Sequence, residues 1–164
     1  MGRRDAVTIE YVLTPRDLRA EDLDAVVAID QRQTGEAKPE YWSRVLARFL
    51  DEERPQTFGV GVDGELGELR GFLFGEVRAF EFGSRACGWI FAVGVDEAWR
   101  RRGMAGVLLE GALKRFRALG VHKVRTMVRR NDVPVLSFFR ASRFVGGPYV
   151  QLEREIDLLD ETDA

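Results

Sequence analysis

Two hydrophobic periods alternate along this 164-residue chain, and each change of period marks an element. Residues 8–19 alternate loosely and predict a first strand, interrupted or bent at Pro15. Ala20-Glu21-Asp22 then opens a helix with acidic residues in its first turn and Leu23, Val26 and Val27 at spacings of three to four. Thr34-Gly35 ends it. A second helix starts at Pro39, a favourable first-turn residue, and carries Tyr41, Trp42, Val45, Leu46 and Phe49. After the charged break Asp51-Glu52-Glu53-Arg54-Pro55, the period drops to two. Strands are expected over 57–62 and 69–82, joined at Asp63-Gly64, with Gly71 or Gly75 as the site of a bulge. A strand over 87–95 follows Ser84-Arg85. From Gly103 a helical period takes over at Met104, Val107, Leu108, Ala112 and Phe116, and it closes at Leu119-Gly120. A strand over 121–128, a short helix from Asn131-Asp132-Val133-Pro134 and a last strand over 149–156 complete the pattern. The elements predict one α/β domain over 1–164, a mixed and mostly antiparallel sheet flanked by helices. Its core spans about 8–156, and residues 157–164 form an acidic tail.

The junction at 93–106 carries the chemistry. A strand runs into a basic, glycine-bearing turn that opens a helix. There the first amides have no intrahelical acceptors, and the helix dipole adds positive charge. That combination binds phosphate. The turn has no Gly-Lys-Ser/Thr and no G-x-G-x-x-G, so it is neither a P-loop nor a dinucleotide fingerprint.

What it has is Arg100-x-x-Gly103-x-Ala105, after a strand ending Val93-Gly94-Val95-Asp96 and before an apolar helix. This resembles the R/Q-x-x-G-x-G/A signature of the GNAT superfamily of N-acetyltransferases, and the element order is similar over roughly residues 8–156. The resemblance implies that strands four and five splay to admit acetyl-CoA. It places the pantetheine arm on the main chain of Val93 and Val95. It places the pyrophosphate on the backbone of Arg100, Arg101, Arg102, Gly103, Met104, Ala105 and Gly106, with Arg101 and Arg102 either adding charge or forming a solvated basic face. Acetyl-CoA is then a co-substrate that donates to a primary amine by direct attack in a ternary complex. The acceptor is a protein lysine, an N-terminus or a small-molecule amine.

A second family pattern, N-x-x-A-x-x-x-Y-x-x-x-G-F, fits less well. Counting back from Phe144 puts Arg143 in the Gly slot, Phe139 in the Tyr slot, Val135 in the Ala slot and Asp132 in the Asn slot; Asn131 lies one residue upstream. The resemblance implies that Asn131, after a one-residue slip, and Phe139 line the cofactor. A phenyl ring cannot donate the proton that the family's Tyr is proposed to supply. A thiolate with a reference pKa of about 8.5 can take its proton from water instead. Phe138 and Phe139 read equally as core packing. Glu76 is the general-base candidate, because it shares a strand face with Phe72 and Phe74; the other reading is an ion pair with Arg78. Glu36, Glu40 and Tyr149 are further candidates near the acceptor.

Composition narrows the rest. Hydrophobic residues make up 45% and charged residues 32%, and no apolar run approaches the roughly 20 residues of a membrane span. The N-terminal stretch lacks the apolar segment of a secretory signal. Cys87 is the one cysteine, which excludes an internal disulfide and fits a reducing cytoplasm. Cys87 has no His or Asp arranged as a partner, His122 gets no role, and no metal-ligand spacing occurs, so no metal is expected. A net charge of −2 and a pI of 5.6 argue against nucleic acid as partner, and the slight acidity favours a cationic acceptor. A CoA-binding regulatory module lacking the Tyr acid is the alternative reading, and the resemblance also admits a homodimer.

Overall fold

The helical and strand periods reappear as elements in the structure, a computed structural model that describes residues 11–156. The chain divides into two units, Met1–Met127 and Val128–Ala164. The beginning of the expected first strand, residues 8–10, and the acidic tail lie outside the described residues.

In the first unit, β1 (Pro15–Asp17) leads through a single 3-10 turn into α1 (Leu23–Thr34). Gly35, at φ 82°, ends α1 in the left-handed region that favours glycine. α2 (Pro39–Phe49) begins on its proline. Then come β2 (Thr57–Asp63), β3 (Leu69–Arg78) and β4 (Cys87–Val95), followed by α3 (Met104–Ala118) and a two-residue β5 (Val124–Arg125). The sheet order is β1-β2-β3-β4-β5, antiparallel except for the parallel pair β4–β5. This is the mixed, mostly antiparallel α/β sheet that the pattern predicts.

Alternation sends the two faces of β3 to different helices. Phe72 and Phe74 pack with Val26 and Ile29 of α1 and with Trp42, Leu46 and Phe49 of α2, all buried. The opposite face receives α3, whose Met104, Leu108, Ala112 and Phe116 are buried. Glycine is required where that helix comes closest: a Cβ on Gly88 would sit 2.6 Å from the Phe116 ring.

Five expectations change. Of the strand expected over 8–19, the described residues hold only β1, with 11–14 outside it, and the strand expected over 69–82 ends at Arg78, ahead of a 3-10 turn at Glu81–Gly83. β5 covers two residues, not the whole of 121–128, because its ladder with β4 stops after Trp89↔Arg125. The bulge falls beside Gly75, but the extra residue belongs to the neighbouring strand: Phe74 faces Ala92 and Gly75 faces Ile90, leaving Phe91 unpaired on β4. No strand forms over residues 149–156, although the sequence alternates there. The segment has no ladder partner among the described residues, and Val150, Leu152 and Ile156 are exposed.

In the second unit, α4 (Val133–Ala141) starts at Asp132, whose carboxylate accepts from the Val135 amide at 3.2 Å. Phe139 is buried between Phe138 and Phe144, with ring centroids 5.1 Å and 5.0 Å away.

Candidate functional site

The first part of the site is the edge of β4. Asp96 N–H donates to the Arg70 carbonyl at 2.8 Å, so alternate residues back along β4 turn their amides and carbonyls to β3. Val93 and Val95 lie between them and present theirs to the opposite edge. β5 does not reach that edge, since its last register partner is Trp89. The carbonyl of Val95 is met there by the Gln33 side chain at 3.1 Å. β4 and β5 are therefore joined at one end and apart at the other, and the bulge at Phe91 marks where they separate.

The second part is the turn from β4 into α3. Asp96 ends the strand with a buried carboxylate that accepts from Arg70 at 2.8 Å, from Arg32 at 3.0 Å and from the Ala98 amide at 3.1 Å. Burial pushes its pKa up. Hydrogen bonds from Arg70 and Ala98, with the charges of Arg32 and Arg70, outweigh that and hold it below the usual carboxylate range. A 3-10 turn (Glu97–Trp99) follows, then Arg101 at φ 60° and Gly103 at φ 81°, both left-handed. Gly103 caps α3 with no side chain over the helix end, so the amides of Met104, Ala105 and Gly106 point out of the first turn. A Cβ on Gly103 or Gly106 would meet nothing within 4 Å. Both glycines open on a groove of about 500 Å³ that runs along α3 past Pro15 to Lys114 and Arg117.

Arg100, Arg101 and Arg102 are exposed around this concave end. Arg102 lies over the Trp99 ring, 4.9 Å from its centroid, and Tyr11 meets Trp99 edge-on at 6.1 Å. The Tyr11 hydroxyl in turn donates to the Asp63 and Gly64 carbonyls, both at 2.9 Å. One of the three arginines is thus braced from the β2–β3 hairpin.

An open strand edge leading to an uncapped, arginine-rimmed helix start fits a ligand with an extended arm and a phosphorylated end. The acetyltransferase (GNAT) family profile matches residues 23–143, most of the chain. The chain belongs to the GNAT acetyltransferase family. It is accordingly an N-acetyltransferase-class enzyme. No curated protein sequence matches it. Among solved structures it is similar to the aminoglycoside N-acetyltransferase AAC(6')-Iy in complex with CoA, at TM-score 0.79 and 13% identity, covering 92% of this chain and 99% of that one. It is similar to glucosamine-6-phosphate N-acetyltransferase from Arabidopsis thaliana, at TM-score 0.70 and 16% identity over 90% and 100% of the two chains. A third likeness is to the aminoglycoside 6'-N-acetyltransferase AAC(6')-Ih from Acinetobacter baumannii, at TM-score 0.73 and 10% identity over 89% and 100%. At such identities these likenesses speak to the fold.

Within this GNAT chain, Val93, Val95 and residues 100–106 come together as one continuous surface of the first unit. Met104 takes part only through its main chain, because its side chain is buried against Gly71. Asn131 and Phe139 belong to the second unit. Asn131 is exposed, and Phe139 packs within its own aromatic group. Asp132, in the slot of the family's Asn, is occupied as a helix cap. Arg143, in the Gly slot, adopts φ 68°, so the left-handed turn of the pattern is kept without the glycine.

Glu76 is buried, and both its oxygens are taken: Oε2 by Arg48 at 2.7 Å, and Oε1 by Arg78 at 2.7 Å from Nε and 2.6 Å from Nη2. A carboxylate whose two oxygens are each held by a guanidinium serves as the centre of an ion-pair cluster. The geometry matches the ion-pair reading, inside the protein and with a second arginine. Glu36, Glu40 and Tyr149 are exposed, and Cys87 is buried. The described residues hold no group of three His, Cys, Asp or Glu arranged for a metal, and no helix among them is long and apolar enough to cross a membrane. Sequence reasoning missed Phe91, Asp96 and Arg48. Only Asp96 had a local signal, as a strand-ending Asp two residues before a free amide.

Proposed function

We propose that this protein is an acetyl-CoA-dependent N-acetyltransferase that moves the acetyl group to a primary amine in a ternary complex. The observation that carries this reading is the β4 edge at Val93 and Val95, which β5 does not cover, running into the uncapped start of α3. In this reading the diphosphate rests on the amides of Gly103, Met104, Ala105 and Gly106 inside the arginine rim. The pantetheine arm lies along the β4 edge as an added strand and ends near the Phe91 bulge. Bound acetyl-CoA supplies an activated acyl carbon and a thiolate leaving group. The amine attacks that carbon, the C–N bond forms, the C–S bond breaks, the nitrogen gives up a proton and the thiolate gains one. The chain holds the two reactants in register, which itself supplies a large effective molarity. It also offers main-chain amides at the bulge to the developing oxyanion. With Phe139 in the Tyr slot, water protonates the thiolate.

Calorimetric titration with acetyl-CoA tests this on wild type and Ala105→Glu. Gly103 is a poorer probe, because any side chain at φ 81° is strained regardless of ligand. Position 105 lies inside α3, where Glu in a first turn is favourable to the helix, while its charge opposes a diphosphate. Saturable binding by wild type, weakened at least tenfold in Ala105→Glu with the circular dichroism unchanged, is expected. No binding by wild type overturns the proposal.

A further inference from the structure

The groove that opens at Gly103 and Gly106 extends well past the start of α3, and its far part takes no share in holding a diphosphate. Gly103, Val107, Glu110, Lys114 and Arg117 recur along α3 at spacings of four and three, so they share one face of the helix. Pro15 of β1 forms the opposite wall. α3 comes close to that wall at Gly111, where a Cβ would sit 2.9 Å from Pro15 and 3.2 Å from Val60. Gly106 and Gly111 add no side chain, so the floor between Val107 and Pro15 is flat and apolar.

The charged lining is Glu110, Lys114 and Arg117, all exposed. Glu110 and Lys114 stand four residues apart, in the order that favours an ion pair on a helix, yet no ion pair joins them among the described residues. Arg115 beside them is already paired with Asp17. Two cations and one carboxylate therefore line a groove of about 500 Å³, within the usual range of small-molecule sites.

We propose that the 3′-phosphorylated nucleoside end of acetyl-CoA lies in this groove, with Lys114 receiving the 3′-phosphate and Glu110 accepting from the ribose hydroxyl. This rests on the acetyltransferase reading above. With the pantetheine arm on the β4 edge and the diphosphate on the first-turn amides, the groove is the concave surface continuous with those amides. Lys114 stands ten residues beyond Met104, about 15 Å along the helix axis. Helical side chains lean toward the N-terminus, so its ammonium reaches back along the groove toward the diphosphate, from which the 3′-phosphate is one ribose away. Glu110 lies one turn nearer the helix start, at the level of that ribose. An ammonium only donates and selects phosphate oxygens, whereas a carboxylate only accepts and selects a hydroxyl. The order Glu110, Lys114 along α3 thus matches the order hydroxyl, phosphate along the ligand. Arg117, one turn further on, keeps the far end positive, and the flat apolar floor suits the face of a purine ring.

Calorimetric titration with CoA and with 3′-dephospho-CoA, which differ by that one phosphate, tests the placement. Wild type is expected to bind CoA about tenfold or more tighter than dephospho-CoA. Lys114→Gln, a change that an exposed helix position tolerates, should abolish the preference while leaving the affinity for dephospho-CoA as it is. Glu110→Ala should weaken both ligands about three- to tenfold, since both carry the ribose hydroxyl. Equal wild-type affinity for the two ligands overturns the inference, as does a preference kept by Lys114→Gln. Unchanged or tighter binding by Glu110→Ala also overturns it, since the carboxylate would then be idle or opposed to the phosphate. Each of these outcomes leaves the acetyltransferase reading standing. Failure of wild type to bind either ligand overturns both.

Discussion

Arg143 stands at φ 68° just after α4, in the position where helices commonly end on a left-handed glycine. A side chain with a Cβ pays about 1–2 kcal/mol for that conformation. Glycine removes the strain but gains about 0.4–1 kcal/mol of unfolded-state freedom. The balance predicts that Arg143→Gly stabilises the protein by about 0.5–1 kcal/mol, read as a higher urea midpoint at unchanged slope. A lower midpoint would mean that the Arg143 side chain makes contacts worth more than the strain. Gly103 is the mirror case: the left-handed position already holds the residue that fits it, at the place where a ligand backbone approach is proposed.

Asp96 joins three elements, taking Arg32 from α1, Arg70 from β3 and the Ala98 amide from the turn that leads to α3. Because its pKa is held below the usual range in the fold, its contribution is fully present above the unfolded value of about 3.9. That contribution is lost as pH falls below it. Asp96→Asn should therefore lose about 1–2 kcal/mol near neutrality, a modest figure because Arg32 and Arg70 are partly exposed to screening solvent. The gap to wild type should shrink as pH is lowered through and below about 3.9; urea titrations on both sides of that pH check it, and a gap that stays constant would show the charge to be irrelevant. Such links explain what the sequence made legible. The end of α1, the bounds of α2 and α3 and the turn after β4 follow from local period, caps and spacing, and the structure reproduces them; the expected start of α1 at Ala20 is a 3-10 turn, with the α-helix from Leu23. The strand that carries the bulge, the two-residue length of β5 and the missing ladder over 149–156 depend on pairing between distant segments, which periodicity does not encode. Glu76 shows the same divide: its strand face was readable, but Arg48, 28 residues away, was not.

Taken together, the first unit places the β4 edge and an uncapped helix start along one sheet, and in the proposed function a ligand bridging the two stabilises the native chain by mass action. At a concentration about 100 times the dissociation constant that stabilisation is about 2.7 kcal/mol. For a protein of this size each kcal/mol raises Tm by roughly 2–4 °C. Acetyl-CoA and CoA should then both raise Tm by about 5–10 °C, since the cradle is proposed to hold the diphosphate that they share. Pantetheine, which has the arm but no diphosphate, should raise it far less at the same concentration. In Ala105→Glu the response to CoA should fall toward that of pantetheine. Scanning calorimetry of both proteins with each ligand separates the two halves of the site. A pantetheine shift equal to that of CoA would move the binding energy from the α3 turn to the β4 edge. A CoA shift retained in Ala105→Glu would place the phosphates elsewhere.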